Sequence, residues 1–358
     1  MRGLLFAIAA ALTAGCDLGP RDDAAGHGPP LHLLASYPAD GQGTNAPSGS
    51  DVTCDEPSPD CAVPTNVAIE LRFDRFLLPS GLTTGLSLYS GNPPANGVYL
   101  WPEYDMIERV VVYRPARALQ PNTLYTAQLV PSPSPGQGFW AFDRAPLEEG
   151  PVPLRFSFST GKGPRSEPAA VAPPRDTCES MSNGPLDSCV SCHATKPDAE
   201  TSPPSKFPPM GLDLASERGL YYTAVRRVAH QTETGNSAVG EGLQSPERFG
   251  VQMNIVDPGS PATSYLMYKL LQKPENFAAA SEGPGCVTGY HAPVSDLDCL
   301  PPPEDESVRL REWFVLGDPM PKDGTSSMGE PIPSATTRDN LVRISAWIAT
   351  GAMCPEPH

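Results

Sequence analysis

Cys189-Val190-Ser191-Cys192-His193 is a C-x-x-C-H pentapeptide, and it occurs once in the chain. Two thiols three positions apart share one helical turn, where each can add across a haem vinyl group. The next residue then presents an imidazole to the iron from the same side. These residues point to one covalent haem c, with Cys189 and Cys192 as attachment sulfurs and His193 as proximal iron ligand. Other uses of C-x-x-C fit less well. A redox dithiol opens a helix after a strand, and Pro185-Leu186-Asp187-Ser188 follows no strand-like run. Zinc needs a second ligand pair, and the chain has neither a second C-x-x-C nor an H-x-x-x-H.

Downstream of Cys178 the apolar residues recur at three and four positions, the period of amphipathic helices. Helices are predicted over Leu214 to His230, Pro261 to Gln272, Ser307 to Val315 and Thr337 to Thr350. In the last, Leu341, Ile344, Trp347 and Ile348 make one stripe, Thr336 and Asp339 can form a capping box, and Gly351 is a natural stop. Residues 178–358 therefore read as a small all-α domain around the haem. Leu212, Leu266, Trp313, Phe314, Trp347 and Ile348 are the candidates for its apolar lining.

Upstream, residues 162–177 are rich in proline and hold no aromatic, a semi-rigid linker by composition. Before them the pattern is of short alternating runs broken by Pro and Gly. Examples are Val67 to Phe73, Gly97 to Tyr104, Arg109 to Tyr113, Thr123 to Val130 and Leu154 to Ser159. That spacing predicts a β-sandwich of about seven strands over residues 31–161. Residues 16–30 bury little and read as a tether. The chain is thus expected to be multidomain: an N-terminal all-β sandwich, a Pro-rich linker and a C-terminal all-α domain.

The first fifteen residues form an export signal. Arg2 is the basic start, Gly3 to Ala14 an apolar run too short to cross a bilayer, and Thr13-Ala14-Gly15-Cys16 a small-residue cleavage site. The ending resembles the lipobox of bacterial lipoproteins, with Thr13 where that motif prefers leucine. The resemblance implies cleavage before Cys16, lipid on its sulfur and a stable membrane anchor. Nine cysteines less Cys16, Cys189 and Cys192 leaves six: Cys54, Cys61, Cys178, Cys286, Cys299 and Cys354. An even remainder in an exported chain reads as disulfides. The local pairs Cys54 with Cys61 and Cys286 with Cys299 would leave Cys178 for Cys354, one arrangement among those six cysteines allow.

The formal charge of −16 argues against nucleic acid and against electrostatic attraction to anionic lipid. It suits a basic redox partner, and it equally serves solubility.

Two family resemblances add to this. Ser36-Tyr37-Pro38-Ala39-Asp40-Gly41, Ile69-Glu70-Leu71-Arg72-Phe73-Asp74, Leu119-Gln120-Pro121-Asn122-Thr123-Leu124-Tyr125 and Phe156-Ser157-Phe158-Ser159-Thr160-Gly161 together resemble the bacterial Ig-like domain of the SbsA type. The insert around Cys54 and Cys61 and the loop from Pro131 to Pro151 depart from its minimal version. The resemblance implies a spacer or partner-docking module.

From Cys178 to Cys354 the chain resembles a class I-like monohaem cytochrome c domain. The residues that carry this are the C-x-x-C-H, Gly211-Leu212-Asp213-Leu214, Asp257-Pro258-Gly259-Ser260-Pro261, Met320-Pro321 and Trp347-Ile348-Ala349-Thr350-Gly351-Ala352. In that family the helix bearing the haem cysteines packs on the C-terminal helix, which implies that Cys178 lies near Cys354. The family's Met-Pro loop corresponds to Met320-Pro321 and makes Met320 the expected distal ligand, ahead of Met210 and His230. A thioether opposite an imidazole raises the midpoint potential and closes both axial positions.

The expected function is one-electron transfer by a membrane-anchored protein facing the periplasm or the cell surface, with no catalytic residues of its own. The alternative is a haem-containing subunit of a larger oxidoreductase or a peroxidase. Dihaem peroxidases need two such motifs, and no flavin or nicotinamide fingerprint is present. A surface adhesion protein is a third reading and rests on the Ig-like module alone.

Overall fold

The computed structural model describes residues 28–49, 58–91, 96–131, 137–165, 176–190, 193–194, 211–229, 253–273, 302–313, 315, 320–321, 324–325, 331–332 and 336–354. The protein is mixed: its N-terminal part is rich in β-structure and helices dominate the C-terminal part.

Among the described residues the N-terminal part carries nine strands. They are β1 (Leu31–Tyr37), β2 (Ile69–Phe73), β3 (Leu86–Ser90), β4 (Gly97–Val98), β5 (Leu100–Asp105), β6 (Val110–Pro115), β7 (Leu124–Leu129), β8 (Leu147–Glu148) and β9 (Arg155–Ser159). One sheet has the order β5-β6-β2-β1-β8 and the other β4-β3-β7-β9. Pairing is antiparallel except between β1 and β8. The period-2 alternation sends Tyr125, Ala127 and Leu129 of β7, with Phe156 and Phe158 of β9, inward while their neighbours face outward. Opposite them lie Ile69, Leu71 and Phe73 of β2. Burial of each such large apolar side chain contributes roughly 1.5–3 kcal/mol.

The runs read from the sequence locate β2, β4 with β5, β6, β7 and β9 to within a few residues. β1, β3 and β8 lie outside the runs quoted. The loop from Pro131 to Pro151 is more than an excursion: Phe139, Ala141 and Phe142 are buried, and the Phe139 ring sits 4.9 Å from that of Phe73. That contact between Phe139 and Phe73 has no periodic signature.

Six helices follow among the described residues: α1 (Cys178–Ser182), α2 (Asp187–Val190), α3 (Glu217–Thr223), α4 (Tyr265–Leu271), α5 (Glu304–Trp313) and α6 (Arg338–Ala349). The expectation of an all-α part is corrected in three places. A two-stranded hairpin joins Gly324–Thr325 to Pro331–Ile332. The helix expected from Leu214 to His230 is confined to α3. Past Thr223 the chain leaves the helix, Arg226 takes φ 56°, and Val225 and Val228 form β-bridges with Val256 and Asn254. β-branched residues at those positions favour the extended pairing over a continued helix. At α6 the cap is Thr337, whose side chain accepts from the Asn340 N–H, rather than the expected Thr336 with Asp339. The predicted stripe is as expected, with Leu341, Ile344, Trp347 and Ile348 all buried, and Gly351 takes φ 102° beyond the helix end.

The ends of the Pro-rich segment are fixed. Arg165 N–H donates to Asn66 Oδ1 (2.9 Å) and Asn66 Nδ2 to Arg165 O (3.0 Å), which pins that end to the sandwich. At the other end Arg343 of α6 donates to both carboxylate oxygens of Asp176 (3.2 and 2.7 Å), and Thr177 caps α1 in a capping box with Ser180. Accepting those bonds, Asp176 holds the Arg343 guanidinium above its ordinary pKa.

Candidate haem site

α2 opens on Pro185-Leu186-Asp187, with Asp187 in its first turn, where a negative charge complements the helix dipole. Cys189 sits on the buried side of this turn, its Sγ 3.9 Å from Ser188 Oγ. The His193 N–H donates to Cys189 O (2.9 Å), so residues 189 and 193 are one helical turn apart, as the motif requires. His193 Nδ1 is buried. The His193 carbonyl accepts from Leu214 N–H (2.7 Å), which ties the C-x-x-C-H turn to the Gly211-Leu212-Asp213-Leu214 segment. That segment is itself braced: Asp213 N–H donates to Thr223 Oγ1 (2.9 Å), and Asp213 Oδ1 accepts from Ala215 N–H (3.0 Å).

α1 precedes this turn and is joined to the chain end by the Cys178–Cys354 disulfide, across 176 residues of sequence. The pairing implied by the cytochrome resemblance is therefore present. Closing so long a loop removes much of the unfolded chain's freedom, about 5 kcal/mol in the chain-entropy account. Cys61 is also disulfide-bonded, to a residue outside those described. Cys16, Cys54, Cys192, Cys286 and Cys299 lie outside the described residues, as do Met210 and His230.

The other segments quoted for the resemblance converge on α6 and α4. Gly259, at φ 90°, donates its N–H to Ile348 O (2.7 Å), bringing the Asp257-Pro258-Gly259 turn onto the end of α6. Asp257 holds that turn closed, accepting from Thr263 Oγ1 (2.5 Å) and Asn254 Nδ2 (3.2 Å). Met320 is half-buried and packs on the apolar core. The adjoining Pro321 makes a contact the sequence did not suggest: the buried Lys273, just past α4, donates from Nζ to Pro321 O (3.0 Å). Gln272 beside it donates to Val315 O. A lysine after an apolar helix reads as solvated, so only the fold could assign it this role.

Of the expected lining residues, Leu266, Trp347 and Ile348 are buried and Leu212 is half-buried against the core. The Trp313 side chain and Phe314 lie outside what is described. Trp347 is fully buried, and its Nε1–H has no acceptor among the described residues. A buried donor left unmade costs roughly 1–3 kcal/mol. The residues present fit a haem c on two counts: a buried thiol at Cys189 and the imidazole of His193 one turn on.

No known family profile matches the chain, and no curated protein does. Among solved structures, domains 1–6 of the surface layer protein SbsC overlay 39% of this chain and 15% of their own, at 8% identity and TM-score 0.25. The N-terminal part of the bacterial S-layer protein SbsC overlays 37% of this chain and 24% of its own, at 10% identity and TM-score 0.22. The chain spans less than a quarter of the length of either, and overlap this slight assigns neither fold nor function.

Proposed function

We propose that this chain is an exported monohaem cytochrome c that transfers single electrons. The observation that carries the reading is the C-x-x-C-H turn itself, with Cys189 buried and hydrogen-bonded through its carbonyl to His193 one turn on. Bound haem c supplies reversible one-electron oxidation and reduction at its iron. Cys189 and Cys192 would hold it by thioether bonds, His193 would give an imidazole to the iron, and Met320, next to the Pro321 that Lys273 binds, would give a thioether. Two protein ligands leave no open position for oxygen or peroxide, which favours electron transfer over the alternative of peroxidase chemistry. A redox partner with a basic face would suit the charge of −16. The test is spectroscopic: the dithionite-reduced protein is expected to keep its spectrum on exposure to carbon monoxide, and rapid carbon monoxide binding by the wild type would overturn the two-ligand reading.

For the N-terminal part we propose an Ig-like sandwich. Lettered in chain order, β5-β6-β2-β1 takes the D-E-B-A order of that fold and β4-β3-β7-β9 the C′-C-F-G order. Tyr125, near the start of β7, accepts at its hydroxyl from Gln120 N–H (2.8 Å), the upstream backbone bond of a tyrosine corner.

Export and anchoring follow from the leader, and disulfides at Cys61 and Cys178–Cys354 favour an oxidising compartment. Labelled palmitate is expected to enter the wild type and not Cys16→Ser. A Cys16→Ser protein that stays in the membrane fraction after a high-salt wash would rule out the lipid anchor.

A further inference from the structure

In a sandwich that stands alone, each sheet turns one face to the core and the other to water. The β5-β6-β2-β1-β8 sheet departs from this. Register places Ile69 against Tyr113 and Leu71 against Val111 on the inner face, and Glu70 against Val112 and Arg72 against Val110 on the outer face. The outer set is as buried as the inner: Val112 is 0% exposed, Arg72 1%, Val110 3% and Glu70 5%.

Helical elements from the C-terminal part lie against this sheet and its rim. Arg338, at the start of α6, donates to Glu108 Oε1, while Glu108 Oε2 accepts from Arg72 Nη1 at 3.2 Å. At the β2 end, Glu306 of α5 receives Arg75 Nε on one carboxylate oxygen (2.9 Å) and the Phe76 N–H on the other (3.0 Å). Arg75 completes its set with Asp143 Oδ2 (2.7 Å) and Pro29 O (2.5 Å). β5 packs against Pro261–Thr263. Arg75, Arg338, Glu108 and Glu306 are each 5% exposed or less.

Such groups are tolerable inside a protein only when each has its partner in place, and here the partners come from opposite ends of the sequence. Burial lowers the pKa of Arg75, but Glu306 and Asp143 more than restore it. Burial lifts Glu306 to about 7 against the pull of Arg75. Separating the two parts would strip Arg75 and Glu108 of these partners and open the apolar outer face at Val110 and Val112 to water.

We infer that the sandwich and the helical part are one rigid unit, locked through the outer sheet face by the Arg75–Glu306 and Glu108–Arg338 pairs, rather than a redox domain swinging on a Pro-rich linker. The sandwich then serves as the fixed mount of the helical part and sets its orientation. This inference is independent of whether haem is bound.

The test breaks the chain without disturbing the lock. A site-specific protease sequence placed between positions 170 and 171 of the full chain is cleaved to completion, with two bands on a denaturing non-reducing gel as the control. At micromolar concentration the two fragments are expected to co-elute at the size of the uncut chain. Fragments that separate on cleavage would overturn the inference. The uncut chain is expected to unfold in one calorimetric transition, and the Glu306→Gln, Arg338→Met double variant to resolve into two or to melt lower. Two resolved transitions in the wild type would equally overturn it, and that measurement requires no variant to fold.

Discussion

Replacing Cys189 and Cys192 together by alanine is expected to abolish covalent haem. Each thioether needs its own sulfur, and the remaining His193 supplies one coordination bond that does not survive denaturation. A denaturing gel stained for haem peroxidase activity should show a band for the wild type and none for the double variant. A stained band of wild-type intensity from the double variant would end the haem assignment, and with it the electron-transfer reading. The Cys178–Cys354 disulfide and the proposals of export and of a rigid union of the two parts do not depend on that outcome.

What the sequence made legible, and what it hid, follow one physical rule. Local periodicity was readable: the α6 stripe of Leu341, Ile344, Trp347 and Ile348 and the alternation of β7 and β9 are each set by neighbours within a few residues. Interactions between distant segments were not. Glu306 looks like one more acid in a charged helix until Arg75, 231 residues away, is placed beside it. Lys273 reads as solvated until Pro321 O lies 3.0 Å from its Nζ. The helix expected to reach His230 stops at Thr223 because Val225 and Val228 find strand partners at Val256 and Asn254, and pairings of that kind leave no mark in the period of either segment. The Cys178–Cys354 bond is the exception among long-range features, since it was implied by the family resemblance.

The second large effect concerns Met320. If its thioether is the distal ligand, Met320→Ala is expected to lose the weak far-red absorption of sulfur bound to ferric iron. It should also admit carbon monoxide to the reduced protein and lower the midpoint potential, because a thioether favours the reduced iron. Met210→Ala and His230→Ala should change none of the three. Lys273→Met offers an intermediate case. It removes the hydrogen bond to Pro321 O beside Met320 but brings a second thioether, so the band is expected to change in position or strength without vanishing. If Met320→Ala keeps band and potential while Met210→Ala or His230→Ala loses them, the axial assignment moves to that residue and electron transfer survives. A wild type already lacking the band and already binding carbon monoxide would be more consequential. The iron would then have an open side, and the argument from two protein ligands against peroxidase chemistry would no longer hold.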